Sequence, residues 1–213
     1  MKQGKILLLD AMGVMFCDRF DHKKFMPYFI ENSLIGKKED GEEKIYREYL
    51  RLTRGELNSQ EFFQGIGISN PSLDFLLEVK LDPDFLGFVD EIRELGFRLR
   101  VLSNDSQEWA NYRNARLGLN GVTKYYLTSS ILGVRKPERR IYEKVCWILG
   151  AEPHDFIYVD DIPDNLVEPK DMGMGVVHFS RDDTIKNEFP RAKNFSELYN
   201  YLGGNFNGRN SQR

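Results

Sequence analysis

The chain has 213 residues, with 30 Lys and Arg against 33 Asp and Glu, so its formal net charge is −3. The length fits one domain, or one domain with a large insertion. The 41% of hydrophobic residues can build a packed core, which excludes disorder as the overall state. The charge balance lacks the basic surplus that is typical of nucleic-acid binding, so we expect no nucleic-acid partner.

The N-terminal segment and the cysteines indicate the compartment. Asp10 interrupts the first apolar run, which is therefore too short for a signal sequence or a membrane span. Cys17 and Cys146 are far apart and neither belongs to a CxxC pair, so we expect neither a disulfide framework nor a zinc site. We expect a cytoplasmic protein with no membrane partner.

The first predicted strand is the apolar run at 5–10, and a helical insertion is predicted to follow it. Residues 18–80 hold helical patterns and no convincing strand. Asn58, three residues before Glu61, is typical of a capping box that opens a helix. The sequence therefore predicts that this segment forms a separate helical domain.

Strands and helices alternate in the rest of the chain. Further apolar runs predict strands at 99–102, 125–128, 156–159 and 175–179. The clearest helical patterns run from Asp82 to Gly96, from Gln107 to Leu117 and from Glu138 to Leu149. This alternation predicts an α/β fold with an open parallel sheet. The predicted core is discontinuous, formed by 1–17 and 81–203, and 204–213 is predicted to be a flexible tail.

Polar residues follow the predicted strands at the edge where open α/β sheets bind ligands. They are Asp10 after the first strand, Ser103, Asn104 and Asp105 after the second, Lys136 before a helix, and Asp160 and Asp161 after the fourth. Each alone is typical of a cap, a turn or a surface lysine. Together, the carboxylates favour a hard cation such as Mg²⁺. Asp10 could attack phosphorus, while Ser103 and Lys136 hold the phosphoryl oxygens.

Four segments in this order resemble the motifs of the haloacid dehalogenase superfamily, in the branch with a helical cap after the first motif. They are LLLDAMGV, VLSND, GVRKPERRIYEKV and FIYVDDIPDNLVEPKDMGMGVVHF. The resemblance implies a Rossmann-like, doubly wound parallel sheet in three layers. It also implies a flap at 13–20 and an α-helical cap domain at 18–80 that closes over the site.

The resemblance also implies a role for each site residue. Asp10 would be nucleophile and metal ligand, and Asp161, Asp160 and the main-chain carbonyl of Met12 would complete a Mg²⁺ site. Ser103 and Lys136 would be its phosphate and nucleophile partners, with Asn104 also binding phosphate. Asn165 would support the acidic loop.

Met12 departs from the pattern of the family's phosphatases, which have a second Asp at this position as general acid and base. A thioether cannot transfer a proton, and such help is typically worth about 10²–10⁴-fold in rate. Three explanations stay open: a slow or specialised phosphohydrolase, a non-catalytic or regulatory ligand-binding protein, and a hydrolase that displaces halide.

Of these, we expect a Mg²⁺-dependent phosphohydrolase that acts on a small phosphorylated metabolite through an aspartyl-phosphate on Asp10. Its activity would be weakened or specialised by Met12. A receiver domain of a signalling protein would combine similar groups, but it has no large insertion after the first strand. We expect a monomer or a small homo-oligomer.

Overall fold

The computed structural model describes residues 4–18, 22–185 and 187–206. Residues 19 and 20 of the predicted flap and residues 207–213 of the predicted tail lie outside these ranges. In the part of the chain that is described, no helix is long and apolar enough to cross a membrane.

Six strands form one parallel sheet within the described ranges, in the order β3-β2-β1-β4-β5-β6. They are β1 (Ile6–Leu9), β2 (Arg98–Ser103), β3 (Tyr126–Thr128), β4 (Phe156–Asp160), β5 (Gly175–Phe179) and β6 (Arg191–Ala192). The first five confirm the predicted strands to within one residue at each end. The sixth has two residues, which is too short to show a pattern in the sequence.

Helices cover both faces of the sheet. Those in the described ranges are α1 (His22–Asn32), α2 (Gly41–Thr53), α3 (Ser59–Ile66), α4 (Phe85–Glu94), α5 (Gln107–Arg116), α6 (Ser129–Leu132), α7 (Arg139–Leu149), α8 (Asp164–Met172) and α9 (Phe195–Phe206). Leu7 and Leu9 of β1 point to one face, which packs against α4, α5 and α9. Ile6 and Leu8 point to the other, which packs against α6, α7 and α8. The strands are buried on both faces, so the predicted three-layer, doubly wound sheet is confirmed.

The segment between β1 and α4 is helical, as predicted. It forms α1, α2, α3 and a short 3₁₀ turn at Asp74–Glu78. The predicted capping box is present at the start of α3, where Asn58 Oδ1 accepts from the Glu61 amide at 2.9 Å and Glu61 Oε2 accepts from the Asn58 amide at 2.8 Å. We refer to the described residues of 22–80 as the cap.

Two strand-like segments carry the chain into the cap and back. The Cys17 amide donates to the Lys80 carbonyl at 2.8 Å, and the Asp82 amide donates to the Met15 carbonyl at 2.9 Å. Because the segments run antiparallel and bond to each other, the cap leaves and rejoins the core at one place.

The structure differs from the sequence prediction at the end of the chain. Helix α9 continues through Gly203 and Gly204 to Phe206, although residues 204–206 were predicted to belong to a flexible tail. Glycines cost helix stability, but Tyr201 and Phe206 pack on the hydrophobic core and the Lys5 ammonium lies 5.4 Å from the Phe206 ring centroid. These tertiary contacts extend the helix past the point where its local sequence predicts an end.

Trp109 of α5 joins the core to the cap. Its side chain is fully buried, and its ring packs on five aromatic residues of the cap, with ring centroids 5.4–6.3 Å away: Phe75, Phe62, Phe29, Phe63 and Tyr49. The cap and one face of the sheet therefore share a single hydrophobic cluster.

The chain has two tryptophans, and they form a matched pair for testing this contact. Trp109 is 0% exposed and Trp147 is 84% exposed. We predict that Trp109→Ala lowers the free energy of unfolding by about 3–5 kcal/mol, because it leaves a cavity among aromatic rings. Trp147→Ala should change it by no more than about 0.5 kcal/mol. Urea unfolding followed by circular dichroism measures both free energies. Equally small losses in the two variants would show that the packing of Trp109 on the cap contributes little to stability.

Candidate active site

The predicted site residues meet at the carboxyl ends of three neighbouring strands, β2, β1 and β4. Leu9 pairs with Val101 on one side and Val159 on the other, and the Asp10 amide donates to the Val159 carbonyl at 2.8 Å. Asp10, Ser103, Asp160 and Asp161 therefore follow at the same edge of the sheet and are all buried. Lys136 reaches this edge from the loop between α6 and α7.

Lys136 is the centre of the cluster. Its Nζ lies 2.8 Å from Asp10 Oδ1 and 2.8 Å from Asp160 Oδ2, and it donates to the Leu102 carbonyl at 3.2 Å. Burial acts to lower the pKa of Lys136, but the two carboxylates outweigh it and the pKa is raised. The two carboxylates therefore favour the charged form of Lys136 between the two strand ends.

Asn104 fixes the main chain of Lys136. Its Nδ2 donates to the Lys136 carbonyl at 2.9 Å, and its Oδ1 accepts from the Lys136 amide at 2.9 Å. This pair of hydrogen bonds ties the loop that carries the ammonium to the end of β2.

Asp10 is held from two sides. Its Oδ1 accepts from the Ala11 amide at 2.7 Å and pairs with Lys136, and the residue is 5% exposed. Burial raises the pKa of the Asp10 carboxyl well above its usual range; Lys136 opposes this effect, while Asp160 and Asp161 add to it. The ionised form of Asp10 is therefore costly unless further positive charge is present.

Asp160 is surrounded by donors from the protein. Asn165 Nδ2 donates to its Oδ1 at 3.0 Å and to its Oδ2 at 3.1 Å, and the Ile162 amide donates to Oδ1 at 2.9 Å. The Tyr158 hydroxyl donates to Oδ2. Both oxygens are thus engaged in fixing Lys136 and the acidic loop.

Asp161 faces the loop that follows β1. Gly13 has a φ of 79°, and a Cβ at this position would overlap the Asp161 carboxylate. Only glycine therefore allows this close approach. Met12, just before it, is buried, and its main chain forms an isolated β-bridge with Phe16.

The three carboxylates form a group that suits a cation. One oxygen each from Asp10, Asp160 and Asp161 lie within 4.8 Å of one another. Lys136 supplies one positive charge against the three negative charges of the carboxylates. This leaves an excess of two negative charges at a buried site. A divalent ion that prefers oxygen ligands, such as Mg²⁺, fits both the charge and the donor atoms.

Some residues that shape the site were not singled out from the sequence. Tyr158 lies two residues before Asp160 on the same face of β4, and strand alternation is the one signal that could have indicated it. His178 Nε2 lies 3.2 Å from the Asp161 carbonyl. Arg181 donates to the Gly13 carbonyl at 2.9 Å and pairs with Asp82. It therefore links the loop after β1 to the segment in which the chain returns from the cap to the core. No local pattern marks either residue.

Known proteins resemble this chain over most of its length. Residues 5–173 match the haloacid dehalogenase-like hydrolases. A chloroplast flavin mononucleotide hydrolase of Arabidopsis thaliana is 27% identical over 202 residues, which cover 91% of this chain and 77% of the relative.

Solved structures share the fold. One is a phosphatase of the family from Thermococcus onnurineus, with a TM-score of 0.72, 19% identity, and coverage of 94% of this chain and 98% of the other. A family enzyme of Bacteroides thetaiotaomicron, solved with magnesium and inorganic phosphate, has a TM-score of 0.68 and 17% identity over 83% of this chain and 94% of the other. With its family match and its parallel sheet, the chain belongs to the haloacid dehalogenase-like hydrolases.

Proposed function

We propose that the protein is a Mg²⁺-dependent phosphohydrolase that acts on small phosphorylated metabolites. The observation that carries the proposal is the buried Asp10, which is oriented by Lys136 and lies beside two more carboxylates. The named activity of the Arabidopsis relative, hydrolysis of a phosphorylated metabolite, supports the same reaction class. A cytoplasmic location stays a prediction, since that relative is named as a chloroplast protein.

The metal would be held by the carboxylates of Asp10 and Asp161 and the main-chain carbonyl of Met12. Asp160 would contribute its negative charge, while its oxygens keep their contacts with Lys136, Tyr158 and Asn165. A bound Mg²⁺ supplies positive charge that offsets the negative phosphoryl oxygens.

In the proposed reaction, an Asp10 carboxylate oxygen attacks the phosphorus atom of the ester. The bond from phosphorus to the leaving oxygen breaks, the leaving oxygen takes a proton from solvent water, and an aspartyl-phosphate forms. Water then attacks the phosphorus, which releases phosphate and restores the carboxylate. Lys136 holds Asp10 in one orientation, and with Ser103 and Asn104 at the end of β2 it would bind the phosphoryl group.

Met12 supports a second candidate function. Because a thioether cannot protonate the leaving oxygen, the same residues would also suit a protein that binds a phosphorylated ligand without turnover. Turnover and binding distinguish the two candidates.

We predict that the protein hydrolyses phosphomonoesters only with Mg²⁺ present, and that Asp10→Asn lowers kcat by about 10³-fold or more, because an amide cannot attack phosphorus. Asp171→Asn, the same change at an exposed position of α8, is the control and should leave kcat unchanged. Release of inorganic phosphate across a substrate panel, with and without chelator, measures this. Turnover that survives in Asp10→Asn would contradict the mechanism. No turnover in the wild type, together with stabilisation by Mg²⁺, would favour the binding protein.

The role of Met12 gives a separate prediction. Met12→Asp should raise kcat for alkyl phosphates by up to about 10²–10⁴-fold, because it restores a proton donor. Met12→Asn, which has nearly the same shape but no proton to give, should not raise it. Equal rates for the two variants, when both are folded and bind Mg²⁺, would show that the missing acid does not limit the reaction.

A further inference from the structure

Arg135 extends from the core into the cap, one residue before the central lysine. Its Nη1 donates to the Thr53 hydroxyl at the end of α2, and its guanidinium carbon lies 6.0 Å from the centroid of the Tyr49 ring. The side chain is half-buried. Arg135 therefore faces the cap, while the adjacent Lys136 holds Asp10.

Arg135 differs from Arg54 and Arg113, which lie at the same junction, because it has no anionic partner in the part of the chain that is described. Arg54 pairs with Glu138 at 2.9 Å, and Arg113 pairs with Asp105 at 2.6 Å. Among the described residues, no carboxylate oxygen lies within 4.0 Å of the Arg135 guanidinium. Within the described ranges, the contacts of its guanidinium are with a hydroxyl and an aromatic ring.

Arg113 adds to the positive charge in the same region. It is fully buried, and its Nε and Nη1 have no hydrogen-bond partner in the described part of the chain. Burial raises the pKa of Tyr49, and the charges of Arg135 and Arg113 both oppose that effect, so both guanidiniums act on one ring of the cap. Among these groups, Glu138 balances Arg54 and Asp105 balances Arg113, which leaves the positive charge of Arg135.

A guanidinium with no carboxylate partner suits a planar anion, because its N–H groups match two oxygens of a carboxylate or phosphate. If Asp10 and Lys136 take the phosphoryl group, the part of the substrate that extends toward the cap meets the residue next to Lys136. We propose that Arg135 is a specificity-determining residue that binds a second anionic group on the substrate, a carboxylate or a second phosphate. This inference rests on the proposed phosphohydrolase function.

The test compares matched substrates. The anionic substrates are phosphorylated hydroxy acids of two to four carbons and alkanediol bisphosphates of the same lengths. Each is assayed beside its neutral twin, the alkyl phosphate of equal length without the second anionic group. For the wild type we expect kcat/KM to be at least about 10-fold higher for an anionic member of the series than for its neutral twin. In Arg135→Gln this preference should fall at least about 10-fold, mainly through KM, while the neutral twin changes by less than about 2-fold.

Three variants separate recognition from structural support. Thr53→Val removes the hydroxyl that Arg135 contacts and keeps the charge, so the preference should persist. Arg139→Gln makes the same change at an exposed arginine of α7 that pairs with Glu143 and Glu168, and should change nothing. Arg135→Lys keeps the charge without the planar group, so it should keep part of the preference even if Arg135→Gln does not fold.

The outcomes are distinct from those for the reaction itself. A wild type that hydrolyses both twins equally, or an Arg135→Gln variant that loses activity equally on both, would overturn the inference and leave the phosphohydrolase intact. If neither twin is hydrolysed, the proposed reaction is wrong. Calorimetric binding of the same compounds then tests whether Arg135 binds a second anionic group. Tighter binding of the anionic twin that is lost in Arg135→Gln would support it, and equal binding would overturn it.

Discussion

The ammonium of Lys136, buried between Asp10 and Asp160, is the interaction on which the site depends. Charges of this kind are expensive to remove from water, and they persist only where geometry and hydrogen bonds are nearly ideal. The fold meets this requirement by placing β2, β1 and β4 side by side, so that a carbonyl from one strand end and carboxylates from the other two surround one nitrogen. Asn104 fixes the lysine's main chain, and Asn165 and Tyr158 fix the carboxylate of Asp160.

The same arrangement explains why the site suits both a metal and a phosphoryl group. One ammonium cannot balance three carboxylates. Burial raises the pKa of Asp10 against the effect of Lys136, and Asp160 and Asp161 raise it further. Gly13 allows the loop after β1 to approach Asp161, and Arg181 holds that loop through the Gly13 carbonyl. Asp10 is thus fixed in position, as the proposed nucleophile requires, while residue 12, where a proton donor is expected, is a methionine.

The sheet could be predicted from the sequence because its strands are short apolar runs, each ended by polar residues. Since parallel strands bring their carboxyl ends to one edge, the placement of Asp10, Asp160 and Asp161 at that edge could be predicted. The sequence did not predict that β1 and β4 are neighbours, which is what brings the three carboxylates together. The hydrogen bonds of Asn104 to Lys136 could not be predicted, because they join residues that are distant in the chain. The same holds for Trp109, whose burial depends on five rings of the cap, and for α9, whose last turn depends on packing of Phe206. Local patterns indicate elements and their ends, whereas contacts between elements decide which polar groups are paired.

We propose that the carboxylates around Lys136 bind a divalent cation. Calorimetric titration of Mg²⁺ into the metal-free wild type, Asp161→Asn and Asp171→Asn tests it without reference to any substrate. We expect one Mg²⁺ per chain in the wild type and in Asp171→Asn, and an affinity at least about 10-fold lower in Asp161→Asn, since an amide brings no negative charge to the ion. No binding to the wild type, or equal affinity in all three proteins, would contradict the claim.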